Sequence, residues 1–262
     1  MKILLTGYKG FIGKNIYNEI YKEHELFCIE IGFMEKECWL DELESMVKQC
    51  DGILHVGAIS DTTCQDVNYV FKYNYVFSKA LIDLGLKYSK KIIFASSAAV
   101  NGNNGMPLNV YGWSKLLTED YGFSKGGNFI ALRYYNVYGP GEEQKGLMAS
   151  VAYQAFQKGQ FELFPKQPKR DFIYINDVVQ ATTHALLNVN KNGVYEVGYG
   201  ESYSFEDVLN YFEIPFSYKS EEAIPPWYQY HTKSDKECWL PNWKPQYDLK
   251  NGLANYKAYL LS

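Results

Sequence analysis

An α/β fold, a doubly wound parallel sheet with a smaller C-terminal substrate lobe, is expected of this chain on three grounds. Short apolar strands alternate with amphipathic helices through about the first 140 residues, the pattern of βαβ units. A glycine loop joins the first strand to the first helix. Further on, a strand ends in paired serines, and a Tyr and a Lys four residues apart follow it. With 262 residues the chain can bury a sizeable core, as one large or two small domains.

The first strand runs from Lys2 to Leu5. Thr6-Gly7-Tyr8-Lys9-Gly10-Phe11-Ile12-Gly13 follows, and a helix is expected from about Phe11 to Glu23. Gly7 makes the tight turn, Gly10 lets a phosphate approach the backbone, and Gly13 lets helix and strand pack closely. This is the pyrophosphate site of a Rossmann-like dinucleotide fold. The second strand, Glu25 to Ile31, carries Glu30, placed to accept from the adenosine ribose hydroxyls. A carboxylate there favours NAD. Lys9 and Lys36 partly offset its repulsion of a 2′-phosphate, so NADP stays open.

A helix over 37–49 and a strand over Gly52 to His55 come next. The connection is so short that a strand or helix of the nucleotide half is expected to be missing after Glu30. Gly57 and Ala58 put small residues where backbone passes the cofactor. A helix from about Val67 to Tyr88 carries Asn74 in its middle. Asn is a mediocre helix former, and this one is expected to bridge toward the active-site strands and the cofactor. Lys91 to Ala95 is a buried strand, and Ser97 just beyond it faces the crevice where such sheets bind ligands. Asn128 to Leu132 is the next strand, followed by the turn-rich Arg133 to Gly141.

From there the alternation weakens. Helices are expected over 146–158, from Asn176 or Asp177 to Asn188, from Ser204 to Phe212 and from Leu249 to Leu260. Ser204 and Asp207 have the spacing of a capping pair. Strands are expected from Asp171 to Ile175 and from Val194 to Val197, and 225–247 reads as irregular. The division is a nucleotide-binding part over 1–140 and a smaller, partly interleaved substrate lobe over 141–262.

Composition narrows the function classes. Hydrophobic residues make up 47% of the chain, so it is globular. A net charge of −4 argues against a nucleic-acid or anionic-membrane binder. No stretch approaches the ~18 apolar residues of a membrane span, and the N-terminal apolar run is too short for a signal peptide. Five cysteines with no Cys-x-x-Cys read as thiols of a reducing, cytoplasmic setting. Four scattered His suggest no metal site.

Tyr111 and Lys115 fall one turn apart on one helix face. A free phenol titrates near ~10. The Lys115 ammonium, joined by the charge of an oxidised nicotinamide, is expected to lower Tyr111 toward the range where it trades protons with a sugar hydroxyl. Ser97 can donate to the reacting oxygen.

The glycine loop, Ser97, Tyr111 and Lys115, in this order along the chain, resemble the extended short-chain dehydrogenase/reductase superfamily, the NAD-dependent epimerase/dehydratases. Its members mostly modify nucleotide sugars. Three segments narrow the resemblance to its heptose 6-epimerase branch, which inverts C6 of ADP-glycero-manno-heptose in lipopolysaccharide precursor synthesis. They are Pro107 to Lys115, Arg133 to Pro140 with its continuation Lys145-Gly146-Leu147-Met148-Ala149-Ser150-Val151-Ala152, and Lys169 to Tyr174. The resemblance implies Tyr111 and Lys145 as the two acid/base groups, with Lys115 orienting the nicotinamide ribose and Ser97 bonding the reacting oxygen. It implies Phe11, Ile12 and Val137 on the cofactor side, and Asn136, Arg170 and Tyr228 on the substrate side. Homo-oligomers are implied as well. The Ser97–Tyr111 loop and the segment after Glu30 are shorter than the family's, and Asn101 stands where it usually has a Tyr. A 4,6-dehydratase is disfavoured because Ala98-Ala99, not a carboxylate pair, follow Ser97. A nucleotide-sugar 4-epimerase or 4-keto-sugar reductase is the enzyme alternative. A non-catalytic dinucleotide-binding module is the alternative from another class.

Overall fold

Ile3, Leu4 and Leu5 are all buried, as a central parallel strand covered on both faces requires. The computed structural model describes residues 1–102, 105–143, 145, 149–225 and 228–262. Strand β1 (Lys2–Thr6) leads through the glycine loop into helix α1 (Phe11–Ile20). Strand β2 (Glu25–Ile29), a 3₁₀ turn over Ile31–Glu35 and helix α2 (Trp39–Gln49) follow, and then strand β3 (Gly52–His55).

The expected helix from Val67 is interrupted. Helix α3 (Val67–Phe71) and helix α4 (Phe77–Lys87) flank a π turn over Lys72–Val76. Asn74 lies in that turn and uses its side chain on Ile59 backbone rather than on solvent, a tertiary pull of the kind that accompanies π-bulges. Strand β4 (Lys91–Ser97), helix α5 (Val110–Lys125) and strand β5 (Phe129–Tyr134) complete the part over 1–140 that carries most of the main sheet.

After these come β6 (Asn136–Tyr138), α6 (Val151–Lys158), β7 (Phe161–Leu163), β8 (Lys169–Arg170), β9 (Phe172–Tyr174), α7 (Ile175–Asn188) and β10 (Gly193–Val197). The chain ends with β11 (Tyr203–Ser204), α8 (Phe205–Tyr211), β12 (Phe216–Tyr218) and α9 (Leu249–Leu261). The expected start of α6 at Gly146 lies outside the described residues; the described helix begins after Ser150, whose side chain caps it. Ser204 and Asp207 form the expected capping box on α8.

The six-stranded sheet runs β10-β5-β4-β3-β1-β2, with every pairing parallel. β2 is an edge strand. From β1 the chain goes first to β2 on one side, then to β3 on the other. The crevice of the fold therefore opens between the carboxyl ends of β1 and β3. Alternate residues of β1 feed two cores: Ile3 and Leu5 pack with Ile16 and Val178, and Leu4 packs with Leu43, Val47 and Leu81.

The two parts interleave. α7 packs beside α1, and β10 returns to extend the main sheet. The lobe itself is built from short strand pairs, β6 with β9, β7 with β12 and β8 with β11. Two buried carboxylates tie its irregular segments down. Asp171 accepts from Tyr199 N (2.7 Å), Gly200 N (2.9 Å), Ser234 N (2.9 Å) and Ser234 Oγ (2.7 Å). Asp177 accepts from Gln246 N (2.8 Å) and Tyr247 N (3.1 Å). An Asp171→Asn substitution turns an amide NH₂ toward donors. It is expected to lower unfolding free energy by about 2–4 kcal/mol, read from the denaturant midpoint. An unchanged midpoint would show that these bonds are dispensable. No helix among the described residues is long and apolar enough to cross a membrane, and none of their His, Cys, Asp and Glu cluster as a metal site.

Candidate active site

A cleft of about 830 Å³ lies at the carboxyl ends of the parallel strands, closed on one side by lobe residues. Its floor is the glycine loop. Gly7 has φ +70°, and a Cβ there would stand 2.5 Å from Gly57 Cα; one on Gly13 would stand 2.0 Å from Gly7 O. Only glycine allows β1, β3 and α1 to meet so closely. Gly10, Phe11 and Ile12 line the cleft beside them, as do Gly57 and Ala58. Glu30 lines its far end and accepts from Lys9 N at 2.5 Å. The glycine loop and the α1 N-terminus form a cradle of backbone N–H groups of the kind that fits a dinucleotide's diphosphate.

Behind the loop lies a buried polar chain. Thr6 Oγ1 accepts from Val56 N (3.1 Å) and Gly57 N (3.0 Å), which leaves its proton for His55 Nδ1 at 2.8 Å. The bond pattern therefore assigns the His55 proton to Nε2, which donates to Ser78 Oγ at 2.7 Å; Ser78 in turn donates to the Asn74 carbonyl. Burial first, and the nearby Lys115 charge second, push the His55 pKa down to about 3. Between pH 3 and 6.5 the unfolded chain binds the proton that the folded one refuses, so stability falls as pH drops through that window. Unfolding at pH 7 and pH 5 should show this loss, and a folded His55→Asn variant should lose less. An equal loss in both would remove His55 from the account.

Asn74 differs from expectation. It does not line the cleft; its amide is used on Ile59 N (2.7 Å), Ile59 O (2.9 Å) and Ser114 Oγ (3.0 Å). Ser114 Oγ donates to Tyr111 O at 2.7 Å, so Asn74 braces the helix that carries Tyr111 rather than touching a cofactor.

The reacting end is set by α5. Asn109 caps that helix, accepting from Gly112 N at 2.8 Å. A Cβ on Gly112 would lie 2.7 Å from Ala99 O, so the first turn of α5 presses on the turn after Ser97. Tyr111 is hydrogen-bonded to Ser97, whose Oγ also accepts from Ala99 N at 3.1 Å. Lys115 donates to Ala95 O at 2.7 Å, with its ammonium 4.7 Å from the Phe94 ring centre and 5.8 Å from that of Tyr111. Ser97, Tyr111 and Lys115 line the cleft together.

Burial dominates their electrostatics. Burial pushes the phenol above its ordinary range, and the Ser97 bond only partly opposes this. Burial also pulls Lys115 down to about 7, so near neutral pH its charge is only partly present.

Lys145 lines the cleft from the loop after β6, its ammonium 5.3 Å from the Phe11 ring centre and its pKa lowered by burial. Asn136, Val137 and Tyr228 also line the cleft. Arg170 does not. It is buried with its guanidinium 5.5 Å from the Phe205 ring and 5.3 Å from the Tyr228 ring, and so backs two cleft-lining aromatics. The structure adds Thr62, Tyr135, Phe161, Phe164, Phe205 and Lys219 to the walls. No spacing signal in the sequence marks them, because they arrive from loops, short lobe strands and the start of α8.

Residues 3–198 match the NAD dependent epimerase/dehydratase family. A protein of Brachyspira hyodysenteriae named ADP-L-glycero-D-manno-heptose-6-epimerase is 32% identical to the chain, over 98% of this chain and 97% of its own. A protein of the same name from Cupriavidus pinatubonensis is 34% identical over 79% of this chain and 76% of its own. The crystal structure of the Helicobacter pylori ADP-L-glycero-D-manno-heptose-6-epimerase superposes with a TM-score of 0.87 at 29% identity, covering 100% of this chain and 96% of that one.

Proposed function

The chain belongs to the NAD-dependent epimerase/dehydratase family, and from that premise we propose that it inverts C6 of an ADP-glycero-manno-heptose. It is an NAD-dependent isomerase of nucleotide sugars; the heptose is the narrower step, supported by the full-length likeness to heptose 6-epimerases. The observation that carries the reading is that Tyr111 and Lys145, from two separate elements, line one cleft with Ser97 and Lys115.

A dinucleotide in this cleft would be held by Gly10, Phe11 and Ile12 at its diphosphate, by Glu30 at its adenosine ribose and by Lys115 at its nicotinamide ribose, and would supply reversible hydride chemistry that leaves the reaction redox-neutral. A carboxylate at Glu30 supports NAD over NADP. Ser97 orients the reacting sugar oxygen and Tyr111 takes its proton. Lys145 handles the proton when the transient ketone presents its other face. Asn136 and Tyr228 contact the substrate, and Arg170 stiffens the Tyr228 side of the cleft.

Residues 1–140 with α7 and β10 form the dinucleotide part in this reading, and the remainder forms the substrate lobe. Val67, Tyr69, Val76, Trp113 and Leu117 expose apolar surface on α3, the π turn and α5, which supports a homo-oligomer; light scattering decides it. Five free thiols go with a cytoplasmic setting. The function is tested by proton NMR of the cofactor-loaded protein with ADP-D-glycero-manno-heptose. The L-glycero epimer should appear. Inversion only at C4 of other nucleotide sugars would withdraw the heptose while keeping the family.

A further inference from the structure

We propose that Asn15 of α1 is the positioning residue that seats Lys145 beside the dinucleotide cradle, by tying the cradle helix to the loop that carries Lys145. The inference rests on Lys145 serving the reaction as described above. Asn15 falls four residues after Phe11, so the two share one face of α1. Its amide nitrogen donates to Phe11 O at 3.0 Å and to Pro140 O at 3.1 Å. Both partners are carbonyl oxygens, which only the NH₂ end of the amide can meet.

The two bonds end on the two parts that meet at Lys145. Phe11 supplies the ring beneath the ammonium, with Nζ 5.3 Å from its centre. Pro140 opens the loop after β6 that carries Lys145. The chain passes α1 so closely there that a Cβ on Gly141, whose φ is +94°, would stand 3.2 Å from Asn15 Nδ2 and 3.8 Å from Phe11 Cδ2. Glu142 joins the chain on either side of Lys145. It is fully buried, and its carboxylate accepts from Gly139 N (3.4 Å) on one side and from Ser150 N and Ser150 Oγ (2.6 Å each) on the other. Glu142 thus closes the loop on itself, and Asn15 fixes the closed loop to α1.

Asn is a poor choice for the middle of α1 on helix propensity alone, so its placement calls for a role. The cradle does not supply one, because the close packing of β1, β3 and α1 comes from Gly7 and Gly13. What the two bonds fix is the distance between the helix that faces the dinucleotide and the loop that presents an acid/base group. Phe11 and Lys145 line the same cleft. A displacement of about 1 Å in a reacting group can cost ~10²-fold in rate, so a bond across this joint bears directly on turnover.

The test is NMR of protein labelled with ¹³Cε-lysine and loaded with NAD. Lys145→Met and Lys115→Met assign the two signals, and Phe11→Leu gives the Lys145 position without the ring. Asn15→Leu keeps the volume and removes the donors. In it the Lys145 signal should move toward the ring-free position while the Lys115 signal stays. Its kcat should fall about tenfold with NAD affinity unchanged, and Asn15→Leu/Lys145→Met should be no slower than Lys145→Met alone. Asn15→Ser can still bond Phe11 O within its own helix but is too short for Pro140 O. It should show the same shift, and it stands in if the Leu variant does not fold. An unmoved Lys145 signal in a folded variant, movement of the Lys115 signal as well, or a kcat loss that multiplies with that of Lys145→Met would reduce Asn15 to a structural staple. The chemical shifts need no substrate. A moved Lys145 signal in a protein without heptose turnover upholds this inference and withdraws the proposed function; an unmoved signal in an active epimerase does the reverse.

Discussion

Tyr111→Phe is expected to lower turnover by about 10² to 10⁴-fold while leaving dinucleotide affinity unchanged. Phenylalanine keeps the ring that packs beside Lys115 and removes only the hydroxyl bonded to Ser97. Ser97 Oγ still accepts from Ala99 N, and its half-buried hydroxyl faces the cleft, where water can take the place of the phenol, so the fold should survive. What is lost is the group that moves the sugar proton. Steady-state turnover together with fluorescence titration of the cofactor separates the effects. A variant that retains full turnover would remove Tyr111 from the chemistry and favour a sensor that merely binds dinucleotide. A variant that fails to bind cofactor would assign Tyr111 a holding role instead.

Lys145→Met should be nearly as damaging, at about 10²-fold or more in kcat. Methionine keeps an unbranched apolar stem of similar length and removes the ammonium that lies 5.3 Å from the Phe11 ring centre. The ammonium is what disappears. Its lowered pKa brings it nearer to neutral pH than a surface lysine, as a proton-transfer group requires. An exposed loop lysine would tolerate the change. Stopped reactions should be analysed for both epimers. Loss of inversion with retained cofactor binding supports the two-base arrangement, and wild-type turnover contradicts it.

The parts legible in the sequence are those encoded by local spacing. Gly7, Gly10 and Gly13 announce a strand-turn-helix phosphate cradle because each glycine answers a constraint within one loop. Tyr111 and Lys115 share a face because helices repeat every 3.6 residues, and Ser97 follows a buried run that can only be a strand. The shortness of the segment after Glu30 was readable from chain length, and there β2 stands at the sheet edge and a 3₁₀ turn and α2 lead on to β3. Other features depend on partners far along the chain. Asn74 looks like a cofactor contact until Ile59 and Ser114 are seen to consume its amide. Arg170 looks like a diphosphate fork until Phe205 and Tyr228 are found against it. The three short strand pairs of the lobe are too brief for periodicity to register. Spacing likewise carries no information about the burial that raises Tyr111 and lowers Lys115.

The most direct test of the central claim is NMR of ADP-D-glycero-manno-heptose incubated in D₂O with cofactor-loaded protein and no added NAD(P)H. The account predicts inversion at C6 with protium retained there and no net change in NAD(P)H absorbance, since the hydride leaves and returns without meeting solvent. Deuterium at C6 would contradict hydride return. Absence of conversion by protein shown to carry cofactor would contradict the heptose assignment.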